Sequence, residues 1–290
     1  MRGNVLLWVA RNDMSSRMKK TIIQIYEVQK PKEAEALVDL GVDHIGSVLT
    51  DVAQLKNETI RKTVRAIQQA GAKSGLIPIF KDQTEIFQAL DYYQPDFVHF
   101  CEALSPFPEN QADVVRECDS LLSLQTAVKE RFPQIRIMRS LSVPRAGVAQ
   151  QEEIKKNILR YAGLFAPLSE YFLIDTLIGN PGDQLQQPVA GYVGITGEVC
   201  DWDIAGAIIT ASPIPVILAG GISGENVFDA ITTMKPAGVD SCTKTNAVDG
   251  QGRPIRFRKD MKKVRRLVEE ARRADEFLRE KRRARIIPVH

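Results

Sequence analysis

The sequence lacks the usual marks of a metalloprotein, a membrane protein or a nucleic-acid-binding protein. Its four cysteines are far apart and form no CxxC pair, which argues against a zinc site and suits free thiols in a reducing cytoplasm. No apolar run approaches the ~20 residues that a membrane-spanning helix needs. The net charge of +3 is too small to indicate a nucleic-acid partner. We therefore expect a cytoplasmic protein with no metal, no membrane contact and no nucleic acid.

The sequence is rich, by contrast, in alternating strand and helix patterns. Apolar and β-branched runs such as His44–Leu49 and Tyr171–Asp175 alternate with helical patterns such as Pro31–Leu40, which Gly41 ends. Such alternation predicts parallel strands joined by right-handed helical crossovers, an α/β fold. We count eight strand–helix units, which favours a closed (β/α)8 TIM barrel. An open doubly wound sheet is the alternative.

The same pattern predicts the domain boundaries. We expect an N-terminal extension at residues 1–19, a single TIM-barrel domain at residues 20–282 and a C-terminal tail at residues 283–290. Glu102–Asp119, which contains two prolines, reads as an insertion after the fourth strand. The last helix is predicted at Lys259–Lys281, where basic and acidic residues are interspersed as on a solvated helix face.

A phosphate site is indicated by the run Pro215–Asn226, in which an apolar strand stops at Gly220 and Gly221 and a helix begins at Val227. Glycines at a strand–helix junction let the backbone approach a ligand, and the helix N-terminus offers N–H groups to an anion. An ordinary tight turn is the alternative. In a TIM barrel the loops after strands seven and eight commonly bind phosphate. After strand eight the sequence supplies Thr243, Lys244 and Thr245, which suit a dianion.

Reactive side chains are expected at the other strand ends, because TIM-barrel chemistry takes place at the C-terminal face. Strand one ends at Tyr26 and Glu27, and strand four at Cys101 and Glu102. Strand six ends at Asp175. Together these residues are the candidates for proton transfer, since carboxylates, thiols and phenols all exchange protons when their pKa is suitably shifted.

Several segments resemble the phosphoribosylanthranilate isomerase family. Leu218–Val227 resembles its seventh-strand motif, and Gly238–Ser241 resembles its eighth strand. Val193–Gly197 is similar to its Gly-Gly-Thr-Gly loop. The resemblance implies a TIM barrel of the ribulose-phosphate-binding type that acts on a phosphorylated substrate without a cofactor, as a monomer or homodimer. It also adds Gly197 to the phosphate-binding residues Gly220, Gly221, Thr243, Lys244 and Thr245.

The activity that the resemblance implies is an Amadori-type aldose–ketose isomerisation in tryptophan biosynthesis, with Asp175 as general acid. In the family, a cysteine at the end of the first strand is the general base, and Tyr26 stands at that position here. Tyrosine is a poor base unless its pKa drops far below ~10. Cys101 is therefore a candidate substitute, and Glu27 and Glu102 are further candidates. The family's Ser-Pro-Arg after strand two has no clear equivalent. Two alternatives stay open: a sugar-phosphate-binding barrel without isomerase activity that acts as a sensor or interaction protein, and an enzyme with another reaction on a phosphorylated substrate.

Overall fold

Parallel strands and outer helices alternate along the chain in a computed structural model that describes residues 20–107, 111–179 and 187–286. The barrel strands are β1 Ile22–Ile25, β2 His44–Leu49, β3 Lys73–Pro78, β4 Phe97–Phe100, β5 Arg136–Pro144, β6 Tyr171–Leu177, β7 Val216–Leu218 and β8 Gly238–Ser241. A hairpin of β9 Asn246–Val248 and β10 Pro254–Lys259 follows them. The helices are α1 Pro31–Asp39, α2 Glu58–Gln69, α3 Gln83–Tyr93, α4 Gln111–Arg131, α5 Gln151–Phe165, α6 Trp202–Ala211, α7 Val227–Met234 and α8 Met261–Ile286.

The eight strands close into a barrel in sequence order, with β1 paired to β8 in parallel. At this seam Ile22 lies opposite Gly238, and a Cβ atom on Gly238 would lie 2.9 Å from the Ile22 carbonyl oxygen. A side chain there would therefore separate the two strands that close the ring. The predicted (β/α)8 TIM barrel is confirmed, and the open-sheet alternative is wrong.

The helices bury apolar faces against the outside of the barrel. Leu37 of α1, Ile67 of α2 and Ile158 of α5 are each at most 1% exposed. Burying a side chain of this kind contributes about 1.5–3 kcal/mol. Helix starts are fixed locally: Asn57 Oδ1 accepts the Thr59 and Ile60 N–H groups before α2, and Asp201 caps α6 in the same way. Capping and burial together keep the strand ends in fixed positions.

The structure differs from the sequence predictions at three places. Helix α4 begins at Gln111, inside the predicted insertion, and the hairpin β9–β10 was not predicted. Helix α8 continues to Ile286, beyond the predicted domain end at Arg282, while its buried residues recur at helical spacing. Residues 1–19, predicted as an extension, lie outside the described residues. Within the described part of the chain, no helix combines the length and the apolar character needed to cross a bilayer.

Candidate functional site

Two adjoining clefts lie at the C-terminal ends of the strands. The interior cleft is mainly apolar, and its lining includes Tyr26, Val48, Ile77, Leu173, Tyr192 and Val193. The rim cleft lies beside it, and its lining includes Gly197, Gly220, Gly221, Thr243 and Lys244. Asp175 and Asp240 line both clefts and therefore stand where they meet.

The rim cleft depends on glycine backbone. Gly220 and Gly221 have φ values of +80° and +63°, in the left-handed region that other residues rarely adopt. A Cβ atom on Gly221 would lie 2.9 Å from the carbonyl carbon of Glu198. Thr176 holds the Glu198 segment in place, because its hydroxyl donates to the Glu198 carbonyl at 2.7 Å. The turn after β7 can pack against the segment that contains Glu198 only because Gly220 and Gly221 have no side chains.

Several polar groups of the rim cleft are available to an anion. Among the described residues, the Thr243 hydroxyl oxygen is buried without a hydrogen-bond partner. Asn226 braces the preceding turn by donating to the Gly221 carbonyl at 3.1 Å, and it leaves the first turn of α7 without a side-chain cap. Lys244 is exposed at the cleft edge. A free hydroxyl and an ammonium group are partners that a phosphate takes.

The structure brings five of the six predicted phosphate-binding residues together. Thr245 is the exception: its side chain is buried, and its hydroxyl donates to the Cys242 carbonyl at 2.9 Å. Its position at the end of a short 3₁₀ turn directs it away from the cleft. More positive charge lies next to Lys244, where Lys262, Lys263 and Arg266 line a neighbouring depression. These cations favour an anionic ligand at the rim.

Asp175 lies two residues before the end of β6, which continues to Leu177 and does not end at Asp175 as predicted, and it lines both clefts. Its Oδ1 accepts the Thr176 N–H at 2.7 Å. Burial raises the pKa of Asp175 from 3.8 to about 6, against the opposing effect of that hydrogen bond. Gly194 permits the close approach of the next loop, since a Cβ there would lie 2.5 Å from Asp175 Oδ2. A carboxyl with a pKa near neutrality is suited to proton transfer.

Asp240 is a second carboxyl at the junction, and the sequence analysis did not single it out. It is 5% exposed, and its Oδ1 has no hydrogen-bond partner among the described residues. Burial, and then the nearby charge of Asp175, raise the pKa of Asp240 to about 8. The sequence signal was an aspartate inside the short strand Gly238–Ser241. All four residues of this strand are buried, and burying a carboxylate costs free energy unless the group is paired or functional.

Tyr26 fills the interior of the barrel beneath the interior cleft. Its ring lies over Gly46, where a Cβ would come within 2.0 Å of it. Its hydroxyl is 3.0 Å from His99 Nδ1, and His99 Nε2 is 2.8 Å from the Ser140 hydroxyl. Burial, together with the charge of Asp240, raises the pKa of Tyr26 well above 10. The geometry favours a packing role for Tyr26 over the predicted role of base.

The other candidate bases are buried in different ways. Cys101 lines the interior cleft, but burial raises the pKa of its thiol, so the thiolate is disfavoured. Glu102 forms a buried ion pair with Arg139 at 2.6 Å. Glu27 lines the interior cleft with a φ of +63°, and its carboxylate accepts Arg256 Nε at 2.6 Å. Arg256 belongs to the unpredicted hairpin, so this pairing was not visible in the sequence.

Positive charge is missing from the interior cleft. Of the described residues that line it, none is a lysine or an arginine. Arg256 is paired with Glu27, and Lys259 Nζ donates to Asn246 Oδ1 at 2.6 Å. In the described part of the chain, no cluster of three or more His, Cys, Asp or Glu residues is arranged to hold a metal ion. The interior cleft therefore suits a neutral, apolar group, whereas the rim cleft suits an anion.

Comparison with known proteins gives a consistent result. A family model described as N-(5′-phosphoribosyl)anthranilate (PRA) isomerase matches residues 140–270. The chain is 27% identical over 263 residues to N-(5′-phosphoribosyl)anthranilate isomerase 1 of Methanosarcina mazei, covering 89% of this chain and 98% of that protein. It is 28% identical to the isomerase of Methanosarcina acetivorans, covering 89% and 96%. The solved N-(5′-phosphoribosyl)anthranilate isomerase of Pyrococcus furiosus has a TM-score of 0.58 at 19% identity and covers 87% of this chain and 99% of its own.

Proposed function

Because this chain belongs to the N-(5′-phosphoribosyl)anthranilate isomerase family, we propose that it isomerises N-(5′-phosphoribosyl)anthranilate in tryptophan biosynthesis. The observation that carries this proposal is the junction of an anion-binding rim cleft with an apolar interior cleft, with Asp175 between them. A ligand of this kind has a phosphate at one end, a sugar in the middle and an aromatic ring at the other end. The phosphate then meets the polar and cationic groups of the rim cleft, and the aromatic ring meets apolar side chains of the interior cleft.

Phosphate binding fixes the ligand in this arrangement. Gly197, Gly220, Gly221, Thr243 and Lys244 surround the rim cleft, where backbone, hydroxyl and ammonium groups meet the dianion. With the phosphate held there, the sugar extends toward Asp175. The aromatic ring reaches the apolar side chains of the interior cleft and is held by burial of apolar surface. We propose that the enzyme acts in the cytoplasm as a monomer or homodimer.

The reaction needs two proton transfers and no electron acceptor. An acid protonates the ribose ring oxygen as the C1′–O bond breaks and an imine forms, and a base then removes the C2′ proton. We propose Asp175 as one of the two groups, because burial raises its pKa to about 6 beside the cleft. Cys101 and Tyr26 border the same cleft, but burial raises the pKa of both and keeps them protonated at neutral pH. We assign both to packing.

Complementation of a tryptophan auxotroph that lacks this isomerase tests the proposal. We expect the wild-type gene to restore growth and Asp175→Asn to abolish it. Asp203→Asn is the matched control, since Asp203 is an exposed aspartate in the first turn of α6. Purified Asp175→Asn protein should lose about 10²–10⁴-fold in kcat if proton transfer is its role. A wild-type protein that binds phosphate esters yet neither restores growth nor turns over substrate contradicts the proposal and favours the non-catalytic alternative.

A further inference from the structure

The proposed reaction requires a second proton-transfer group, and Asp240 occupies the position where one is needed. Besides Asp175, it is the carboxyl that lines both the rim cleft and the interior cleft among the described residues. The two aspartates come from β6 and β8, which flank the short strand β7. A sugar that spans the two clefts must therefore pass both carboxyl groups.

The Asp240 side chain has a free hydrogen-bonding atom at this position. In the register of β8 with β1, Asp240 lies opposite Gln24, which supplies one hydrogen bond to it. The Oδ1 atom has no partner among the described residues, although Asp240 is only 5% exposed. Buried polar atoms are almost always paired, so an unpaired one at a cleft indicates that a ligand completes the pairing.

The other groups around the pair are already engaged or neutral. Tyr26 after β1, Cys101 after β4, Cys200 before α6 and Cys242 after β8 are weak acids whose pKa burial raises. The charge of Lys259 on β10 lowers the pKa of Asp240, and Lys259 Nζ donates to Asn246 Oδ1. Glu27 on the interior cleft is paired with Arg256. Tyr26 and the three thiols therefore stay protonated at neutral pH.

We propose that Asp240 is the second catalytic residue and forms an acid–base pair with Asp175, in which Asp240 gives the proton that opens the sugar ring and Asp175 takes the C2′ proton. This inference rests on the proposed function. It reverses the role of acid that the family resemblance implies for Asp175. Burial raises the pKa of both carboxyls, and the charge of Asp175 raises that of Asp240 further, which favours the resting proton on Asp240.

The proton balance closes within the pair. Asp240 transfers its proton to the ring oxygen as the C1′–O bond breaks, and the nitrogen lone pair forms the C1′=N bond. Asp175 then takes the C2′ proton, the C2′–H electron pair becomes the C1′=C2′ bond, and the C=N electrons return to nitrogen. The resulting enaminol tautomerises to the ketose by moving its hydroxyl proton to C1′. The pair begins and ends with one proton, so no co-reactant is needed.

The dependence of kcat on pH tests the pair. For the wild-type enzyme we expect a bell-shaped profile, with an acid limb from Asp175 near pH 6 and an alkaline limb from Asp240 near pH 8. Asp240→Asn should lower kcat about 10²–10⁴-fold and lose the alkaline limb while it keeps the acid limb. Asp175→Asn should lose the acid limb instead. Asp240→Glu, which restores a carboxyl, should recover part of kcat and the alkaline limb.

Controls separate this inference from the proposed function and from misfolding. Each variant should still bind inorganic phosphate, because Gly197, Gly220, Gly221, Thr243 and Lys244 of the rim cleft are unchanged. An Asp240→Asn enzyme with full kcat and both limbs overturns the role of Asp240 and leaves the proposed function intact. An Asp240→Asn enzyme that loses the acid limb and keeps the alkaline limb overturns the assignment of acid and base. A wild-type enzyme without activity overturns the proposed function itself and, with it, the pair.

Discussion

The rim cleft and the interior cleft differ in what builds them. In the rim cleft, glycines with positive φ and a free hydroxyl line the proposed anion site, which depends mainly on backbone geometry. In the interior cleft, side chains determine the surface: Tyr26 packs over Gly46, and no cation lines the cleft within the described residues. The sequence resemblance implies that the rim keeps the family's motifs in altered form and that the interior departs from them. Such divergence is easier in the interior, because a side chain can change without moving the backbone that the strands require.

The strongest test of the backbone origin of the rim cleft is Gly221→Ala. The added Cβ would lie 2.9 Å from the Glu198 carbonyl carbon, at a φ of +63°. We expect phosphate affinity to fall at least about 100-fold, and the free energy of unfolding to fall by about 1–2 kcal/mol from the strained φ alone. Calorimetric titration with inorganic phosphate and urea unfolding measure the two effects. Gly250→Ala is the control, since its added Cβ would meet nothing within 4 Å. Unchanged phosphate affinity in Gly221→Ala would contradict a backbone-built site.

The cost of a buried carboxyl at the junction is tested by Asp240→Asn. The folded-state pKa of about 8 is raised above 3.8, so the folded protein keeps a proton that the unfolded chain has released between those values. The free energy of unfolding therefore decreases as pH rises through this window. One pKa unit corresponds to ~1.4 kcal/mol. Because asparagine does not titrate, Asp240→Asn should raise the free energy of unfolding by roughly 2–4 kcal/mol at pH 7.

This gain should fall to less than about 1 kcal/mol near pH 4, close to the pKa of 3.8 at which the unfolded chain also binds the proton. Urea unfolding of Asp240→Asn at the two pH values measures it, with the exposed Asp203→Asn as the control. A variant that is less stable than the wild-type protein at pH 7 would show that the ionised carboxyl contributes to folding. If Asp240→Asn is more stable than the wild-type protein and has lost activity, the Asp240 carboxyl serves function at a cost in stability.

The packing role of Tyr26 is tested by Tyr26→Phe. The phenylalanine keeps the ring over Gly46 and loses the hydrogen bond to His99 at 3.0 Å. We expect the unfolding free energy to fall by about 0.5–1.5 kcal/mol. The value of kcat/KM should change less than about tenfold, whereas loss of a catalytic base costs about 10²–10⁴-fold.

Tyr93→Phe is the matched control for Tyr26→Phe. Its hydroxyl accepts the Asn57 N–H at 2.8 Å before α2, and it does not line either cleft. A loss of activity in Tyr26→Phe that approaches the loss in Asp175→Asn would restore Tyr26 as the candidate base. A similar small loss of stability in both variants, with activity retained, would support packing.

The smallest effect is expected from the substrate's own carboxylate. Because no lysine or arginine lines the interior cleft among the described residues, this charge finds no ionic partner there. We expect kcat/KM for the N-(5′-phosphoribosyl)aniline analogue, which lacks the carboxylate, to lie within about tenfold of that for the anthranilate substrate. A hydrogen bond to a charged group contributes about 1.5–3 kcal/mol, or tenfold and more. A larger preference for the anthranilate substrate would reveal a cation that enters the cleft on binding.

The sequence was sufficient to predict the barrel, and it placed five of the six proposed phosphate-binding residues in one cleft. His44–Leu49 has the bounds that were predicted for strand two, and the count of eight strand–helix units was correct. Gly197, Gly220, Gly221, Thr243 and Lys244 meet in one cleft because the ends of neighbouring parallel strands lie at the same edge. The hairpin β9–β10 escaped prediction because its strand β9 has only three residues and little alternation.

The sequence by itself determined the order of strands and helices, because apolar periodicity and glycine positions are local properties. Only the tertiary structure decided which of those residues face the clefts. One residue of register turns a strand side chain from one face to the other, and closure of β8 on β1 sets that register for Gln24 and Asp240. For the same reason Glu102 meets Arg139, Thr245 turns toward the backbone, and Tyr26 fills the barrel over a glycine from the next strand. Side-chain direction and the pKa values that follow from burial are set by contacts between segments far apart in the chain.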